Sequence, residues 1–140
     1  LIEIESEKNN ISLFYDKNYS NPIYVFADEE RILQVLTNLL VNSLKYGVDG
    51  GRTEVSLVKS NNKIFIKVSD NGIGISSKHL PRLFERFYRV DATRSRKKGG
   101  SGLGLSIVKH IIEAHNENIY VESEFGKGTT FSFTLEQFRG

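Results

Sequence analysis

The 140-residue chain contains no cysteine. A disulfide framework, a zinc–thiolate site and thiol catalysis are therefore excluded. Histidine is scarce: His79, His110 and His115 are the three present, and none has the spacing of a helical two-histidine metal site. No apolar run approaches the roughly 18 residues that cross a bilayer, and the N-terminus has no signal-like pattern. Internal repeats and low-complexity linkers are absent too. What remains is a chain about the length of one domain, 39% hydrophobic and 26% charged, a soluble globular composition. Its abrupt start predicts that it was cut from something longer. Residues 1–10, where Ile2 and Ile4 alternate with glutamates, are assigned to the end of an upstream connecting segment, and 11–140 to a single domain.

The net charge is +2, but it is unevenly placed. Arg82 to Lys98 holds seven basic residues against Glu85 and Asp91, a net +5 that leaves the rest of the chain at −3. Such a segment attracts phosphate or is a solvated loop. Its confinement to one stretch of an otherwise acidic chain argues against nucleic acid.

Short strands are predicted at Ile11 to Tyr15 and Ile23 to Phe26, separated by a turn around Asn18 to Pro22. Asp28 suits an N-cap for a helix to about Tyr46, stopped by Gly47 and the pair Gly50–Gly51. Thr53 to Lys59 and Lys63 to Ser69 alternate as strands around a Ser-Asn-Asn turn. Pro81 opens a short aromatic-basic helix, Arg82 to Tyr88, within a loop-rich stretch. A second long helix covers about Leu103 to His115, with Ile107, Val108, Ile111, Ile112 and His115 on one face. Ile119 to Glu124 and Thr129 to Leu135 close the domain as a hairpin. This order predicts an α+β fold: a two-layer α/β sandwich with a mixed, mostly antiparallel sheet and helices on one face. Strict βαβ alternation, the mark of a doubly wound fold, is missing.

Eight of the twelve glycines fall in three clusters: Gly72/Gly74, Gly99/Gly100/Gly102/Gly104 and Gly126/Gly128. The second cluster is neither a Rossmann fingerprint nor a P-loop by spacing. It reads as a hinge delivering free N–H groups to a helix N-terminus, which suits an anion. On the first long helix, Asn42 lies at about 40° and Lys45 at about −20° from Asn38, opposite Ile32, Val35, Leu36, Leu39 and Leu40. Asparagine costs up to about 0.7 kcal/mol relative to alanine in a helix interior. The pair is either solvated filler or a source of a side-chain carbonyl for Mg²⁺ beside phosphate, with Lys45 adding positive charge. Asp70 directly follows a strand. It is either a turn former or, ionised, a pure hydrogen-bond acceptor suited to the amino group of adenine.

In this order the pieces resemble the catalytic, ATP-binding domain of bacterial sensor histidine kinases, with the Bergerat-type fold shared more distantly with gyrase B, Hsp90 and MutL. Asn38-Leu-Leu-Val-Asn-Ser-Leu-Lys-Tyr46 resembles the family's N box and Asp70-Asn-Gly-Ile-Gly-Ile75 its G1 box. Leu83-Phe-Glu-Arg-Phe-Tyr-Arg89 resembles the F box, Gly100-Ser-Gly-Leu-Gly-Leu-Ser-Ile-Val108 the G2 box and Gly126-Lys-Gly-Thr-Thr-Phe131 the G3 box. The resemblance covers about residues 11–136.

The resemblance implies ATP and Mg²⁺ as cofactors, with Asn42 as the metal ligand and Asn38 its polar neighbour. It implies phosphate contacts from Lys45 and from the backbone around Gly102, Leu103 and Gly104, and an edge contact from Tyr46. Asp70 would take the adenine amino group, with Gly72, Gly74 and Ile75 along the base and Thr129 supporting it. Phe84 and Phe87 would anchor a mobile ATP lid over about 76–101, and Arg89 or Arg86 would neutralise the transferring phosphoryl group. The implied partner is a separate dimerisation and phosphoacceptor helical hairpin, with a response regulator downstream. The isolated domain is expected to be monomeric. Its expected place is the cytoplasm, as the cytoplasmic part of a membrane-anchored sensor if an anchor lies upstream. None of the three histidines has the acidic neighbour of an acceptor motif. The alternatives are an ATPase clamp like gyrase B, Hsp90 and MutL, and a serine kinase of the anti-sigma-factor type. The clamps place a glutamate base where this chain has Asn38, and an amide cannot take up a proton at neutral pH.

Overall fold

The computed structural model describes residues 12–15, 23–88 and 103–138. In chain order these form β1 (Ser12–Tyr15), β2 (Tyr24–Val25), α1 (Glu29–Lys45), β3 (Arg52–Ser60), β4 (Lys63–Asp70), a 3₁₀ turn (Leu80–Arg82), α2 (Gly104–Ala114), β5 (Ile119–Glu124) and β6 (Gly128–Phe138). Residues 1–10 lie outside the described residues.

Helix α1 starts where Asp28, in an extended conformation, accepts a hydrogen bond from the Arg31 N–H at 3.3 Å. Glu29 and Glu30 occupy its positive first turn and Lys45 its negative last one. The helix ends at Tyr46, whose N–H reaches the Asn42 carbonyl at 3.3 Å. Gly47 is not in the left-handed region expected of a stop glycine; Gly50, at φ +75°, makes the turn instead. Helix α2 buries Val108, Ile111 and Ile112. At its C-terminus the His115 imidazole joins the two helices. Nδ1 donates to the Ile111 carbonyl at 2.8 Å, and Nε2 accepts from the Asp28 N–H at 3.0 Å.

The sheet runs β1–β3–β4–β6–β2, with β5 also paired to β6. β5 occupies the first half of one β6 edge (Ile119 opposite Phe133), and β2 continues at its end (Tyr24 opposite Phe138). Pairing of β1 with β3 is parallel and every other pair is antiparallel, giving the mixed sheet that was expected. The two short N-terminal strands, neighbours in sequence, sit at different places in the sheet.

Strand register aligns the inward-facing residues into rows. Val55, Val68, Phe131 and Val121 form one, and Leu57, Ile66, Phe133 and Ile119 the next. These rows pack with Val35, Leu39 and Leu40 of α1 and Val108, Ile111 and Ile112 of α2 in a single core. Phe133 and Leu39 at its centre have no exposed surface. Truncating Phe133 to alanine would cost about 3–5 kcal/mol. At one end of the sheet lies an ion pair. Glu117 takes the Lys63 ammonium at 2.6 Å on one oxygen and the Thr134 hydroxyl at 2.7 Å on the other.

The helix expected over Arg82 to Tyr88 is not formed. A 3₁₀ turn at Leu80–Arg82 gives way to irregular turns, and Phe87 adopts φ +64°, incompatible with a right-handed helix. Local contacts hold the chain in this shape: Arg82 pairs with Glu85 at 2.9 Å and lies 4.8 Å over the Tyr88 ring, while His79 bonds the Tyr88 hydroxyl.

Candidate functional site

Each inward-facing strand series ends, at the end of the sheet away from Glu117, in a polar residue. Register places Thr53 opposite Asp70, Asp70 opposite Thr129, and Thr129 opposite Ser123. The result is a polar row, Thr53–Asp70–Thr129–Ser123, capping the apolar rows on the helix-facing side. From above, α1 contributes Ser43, whose hydroxyl lies 2.6 Å from that of Thr53. Ser43 and Thr53 are buried, at 3% and 1% exposure.

Asp70 is the charged member of this row. Its Oδ1 accepts from the Gly72 N–H at 2.9 Å and the Thr129 N–H at 3.3 Å. Burial raises its carboxyl above the ordinary aspartate value, while bonds from the Gly72 N–H, the Ser43 hydroxyl and the Thr129 N–H pull it back. These three donors leave room among the roughly four lone-pair sites of a carboxylate. No cation pairs with it among the described residues. An ionised group held this way is a fixed acceptor facing whatever donor enters.

The loop after Asp70 and the hairpin before Thr129 interlock. The Gly126 N–H donates to the Ile73 carbonyl at 2.7 Å, and the Ile75 N–H to the Ser123 hydroxyl at 2.7 Å. A Cβ on Gly74 (φ +74°) would overlap the Glu124 carbonyl, and one on Gly128 (φ +136°) the Asp70 carbonyl. Both positions thus require glycine for its backbone freedom and for the closeness of the two segments. At Gly72 a Cβ would lie 2.5 Å from the Tyr46 carbonyl, which also accepts from the Ile73 N–H at 3.1 Å. The end of α1, the loop at 71–75 and the hairpin at 124–128 form one unit around Asp70.

The helix stripe lies beside this unit. Asn38, Asn42, Lys45 and Tyr46 are all half-buried. The Asn38 side-chain amide donates to the Gly104 carbonyl at 3.4 Å, tying α1 to the start of α2. Leu103, at the N-cap position of α2, has no side chain able to cap the helix, and a Cβ on Gly104 would meet open space. The Asn42 side chain has no hydrogen-bond partner among the described residues, so its carbonyl oxygen is available to a hard cation. Phe84 packs edge-on to Phe131 at 6.1 Å beside the buried Leu83. Phe87 does not anchor: it is 63% exposed, with the Arg86 guanidinium 5.5 Å over its ring. Arg89 and Gly102, with residues 89–101 of the expected lid, lie outside the described residues.

Sequence reasoning missed Ser43, Thr53 and Ser123. The signal was present: Thr53, Asp70, Ser123 and Thr129 each terminate a period-2 apolar series (Val55-x-Leu57, Ile64-x-Ile66-x-Val68, Ile119-x-Val121, Phe131-x-Phe133-x-Leu135).

Residues 27–139 match the family described as histidine kinase-, DNA gyrase B-, and HSP90-like ATPase, and the chain belongs to this family. Its relatives include sensor histidine kinases. It is 46% identical over 115 residues to the sensor histidine kinase WalK of Bacillus subtilis, covering 81% of this chain and 19% of that protein. It is 40% identical over 134 residues to the sensor protein SrrB of Staphylococcus aureus, covering 96% of this chain and 23% of that one. The chain thus spans about a fifth to a quarter of these relatives. Among solved structures, the nucleotide-free catalytic domain of the histidine kinase ThkA superposes with a TM-score of 0.80 at 28% identity, covering 97% of this chain and 85% of that one. Full-length ShkA in complex with AMPPNP superposes with a TM-score of 0.81 at 25% identity, covering 99% and 29%. The fold is that of a histidine kinase catalytic domain, as expected. No described helix is long and apolar enough to cross a membrane.

Proposed function

We propose that this domain binds MgATP and transfers its γ-phosphoryl group to a histidine on a separate dimerisation and phosphoacceptor hairpin, the first step of a relay to a response regulator. The observation that carries this reading is Asp70, a part-buried carboxylate held by backbone donors, without a cation, at the end of the core. It accepts from the 6-amino group of adenine, with Thr129 directly across the ladder, Gly72, Gly74 and Ile75 shaping the wall and Tyr46 at the edge. Lys45 and the amides of Gly102, Leu103 and Gly104 receive the phosphates. Phe87 lies within the lid, and Arg89 neutralises the transferring group.

The unpartnered side-chain oxygen of Asn42 fits a Mg²⁺ ion, which takes few protein ligands and completes its shell with phosphates and water. Bound there, the ion would neutralise charge on the phosphate oxygens. Asn38 holds its place by bonding to Gly104. It cannot serve as the proton acceptor that hydrolysis by an ATPase clamp needs. The chain's part is alignment and charge, and the nucleophile comes from outside. Both ring nitrogens of His115 are engaged in the fold and His79 bonds Tyr88, in keeping with structural histidines. The support from relatives is that WalK and ThkA are histidine kinases and that ShkA was solved with AMPPNP.

The test is transfer of radiolabelled γ-phosphate. The domain alone should not become labelled, and the kinase's own hairpin added in trans should be labelled at its histidine, as an acid-labile, base-stable phosphoramidate. Stable label on serine or threonine would identify a kinase of the anti-sigma type instead. Steady-state hydrolysis near the enzyme median of about 10 s⁻¹ would identify a clamp.

A further inference from the structure

The hydroxyl of Ser123 makes three contacts. It accepts from the Ile75 N–H at 2.7 Å, lies 2.9 Å from the Gly128 carbonyl and 2.8 Å from the Thr129 hydroxyl. A hydroxyl has one proton and two lone pairs. The Gly128 carbonyl can only accept, so Ser123 gives it the proton. The Ile75 N–H fills one lone pair, and the Thr129 hydroxyl must donate into the other. Thr129 then has no proton left to offer. We infer that Ser123 is a positioning residue for base recognition: by taking the Thr129 proton it leaves Thr129 presenting only lone pairs beside Asp70, so that the site excludes 6-oxopurines. This rests on the nucleotide reading proposed above and deepens it.

Thr129 stands directly opposite Asp70 in the ladder, with Cβ atoms about 5 Å apart. A base edge bonded to Asp70 comes within reach of the Thr129 oxygen, directly or through one water. Two acceptors side by side match the 6-amino group of adenine. A purine with oxygen at that position meets lone pairs from both. Asp70 alone does not enforce this rejection, because a carboxylate also accepts the N1–H of a shifted 6-oxopurine. The Thr129 oxygen, oriented by Ser123, closes that alternative.

The experiment is calorimetric titration of ATP and inosine triphosphate into the wild-type domain, Ser123→Ala, Thr129→Val and the double variant, with melting curves for each. Wild type should prefer ATP. Ser123→Ala frees the Thr129 proton to donate to a 6-oxo oxygen, so the ATP-to-ITP preference should shrink about tenfold, chiefly by tighter ITP binding. In the Thr129→Val background, Ser123→Ala should leave the preference unchanged. If Ser123→Ala does not fold, Thr129→Val, which keeps the volume and removes the oxygen, should still narrow the preference. Equal weakening of both nucleotides by Ser123→Ala, or no narrowing by Thr129→Val, would overturn the proposal and leave the Asp70 reading standing. No preference in the wild type would overturn the Asp70 reading and this proposal with it.

Discussion

The two ends of the sheet each hold a carboxylate drawn out of solvent, Glu117 buried and Asp70 half-buried, and the molecule treats them in opposite ways. Glu117, with its side chain 7% exposed, is closed on itself: a lysine ammonium covers one oxygen and a threonine hydroxyl the other. Among the described residues Asp70 has neutral donors alone, and burial raises its carboxyl above the ordinary value. A buried charge with its own cation is a structural device, since removing the partner leaves it uncompensated. A part-buried charge without one leaves acceptor capacity that the fold itself does not fill, and the ligand proposed above would complete it.

That contrast can be broken at either end. The largest effect expected is on nucleotide binding: Asp70→Asn removes a charge-assisted bond of about 1.5–3 kcal/mol, so ATP affinity measured by calorimetry should fall roughly ten- to hundredfold. At the other end, Lys63→Met strands the Glu117 carboxylate. Lys63 is 44% exposed, so solvent screens part of the loss. Urea unfolding should show a deficit of about 1–3 kcal/mol, and the ATP affinity of the folded protein should not change. Asn42→Ala touches neither carboxylate. It should abolish the Mg²⁺-dependent tightening of ATP binding while the unfolding free energy changes by no more than about 0.5 kcal/mol.

The smallest effect sharpens the comparison through pH. A carboxyl raised by burial keeps its proton in the fold where the unfolded chain has already released it. Stability therefore declines as pH rises from the ordinary aspartate value, about 3.9, through the raised one, and the deficit persists above it. Asp70→Asn should accordingly melt higher than wild type without nucleotide at pH 7, and the advantage should vanish below about pH 3.9. A variant that gains stability while losing ATP marks a group kept for its ligand.

Much of this was legible in the sequence because it is local. The Asp28 cap, the asparagine stripe and the period-2 strands depend on neighbours a few residues away, and all three stand where they were expected. The row Thr53–Asp70–Thr129–Ser123 was not legible as a row. Alternation gives each strand's inward face, but only inter-strand register puts four strand ends side by side. The short helix after Pro81 failed for a related reason. Its aromatic-basic spacing suits a helix, yet Arg82, Glu85, His79 and Tyr88 bond to one another across turns and carry Phe87 to positive φ. Gly72 and Gly74 were expected along the base of a ligand, whereas the atoms crowding them, and those crowding Gly128 in the hairpin, are largely the protein's own backbone.

That last feature bears on how the domain can evolve. A side chain that meets another side chain can be accommodated by a compensating change at the second position. At Gly74 and Gly128 the obstructing atoms belong to the peptide groups at Glu124 and Asp70, which every residue type carries alike. No second-site substitution can remove them. These two positions should therefore resist replacement independently of what surrounds them, and a library randomised at both, selected for ATP binding, should return glycine at each while the intervening Phe125, at 72% exposure, varies.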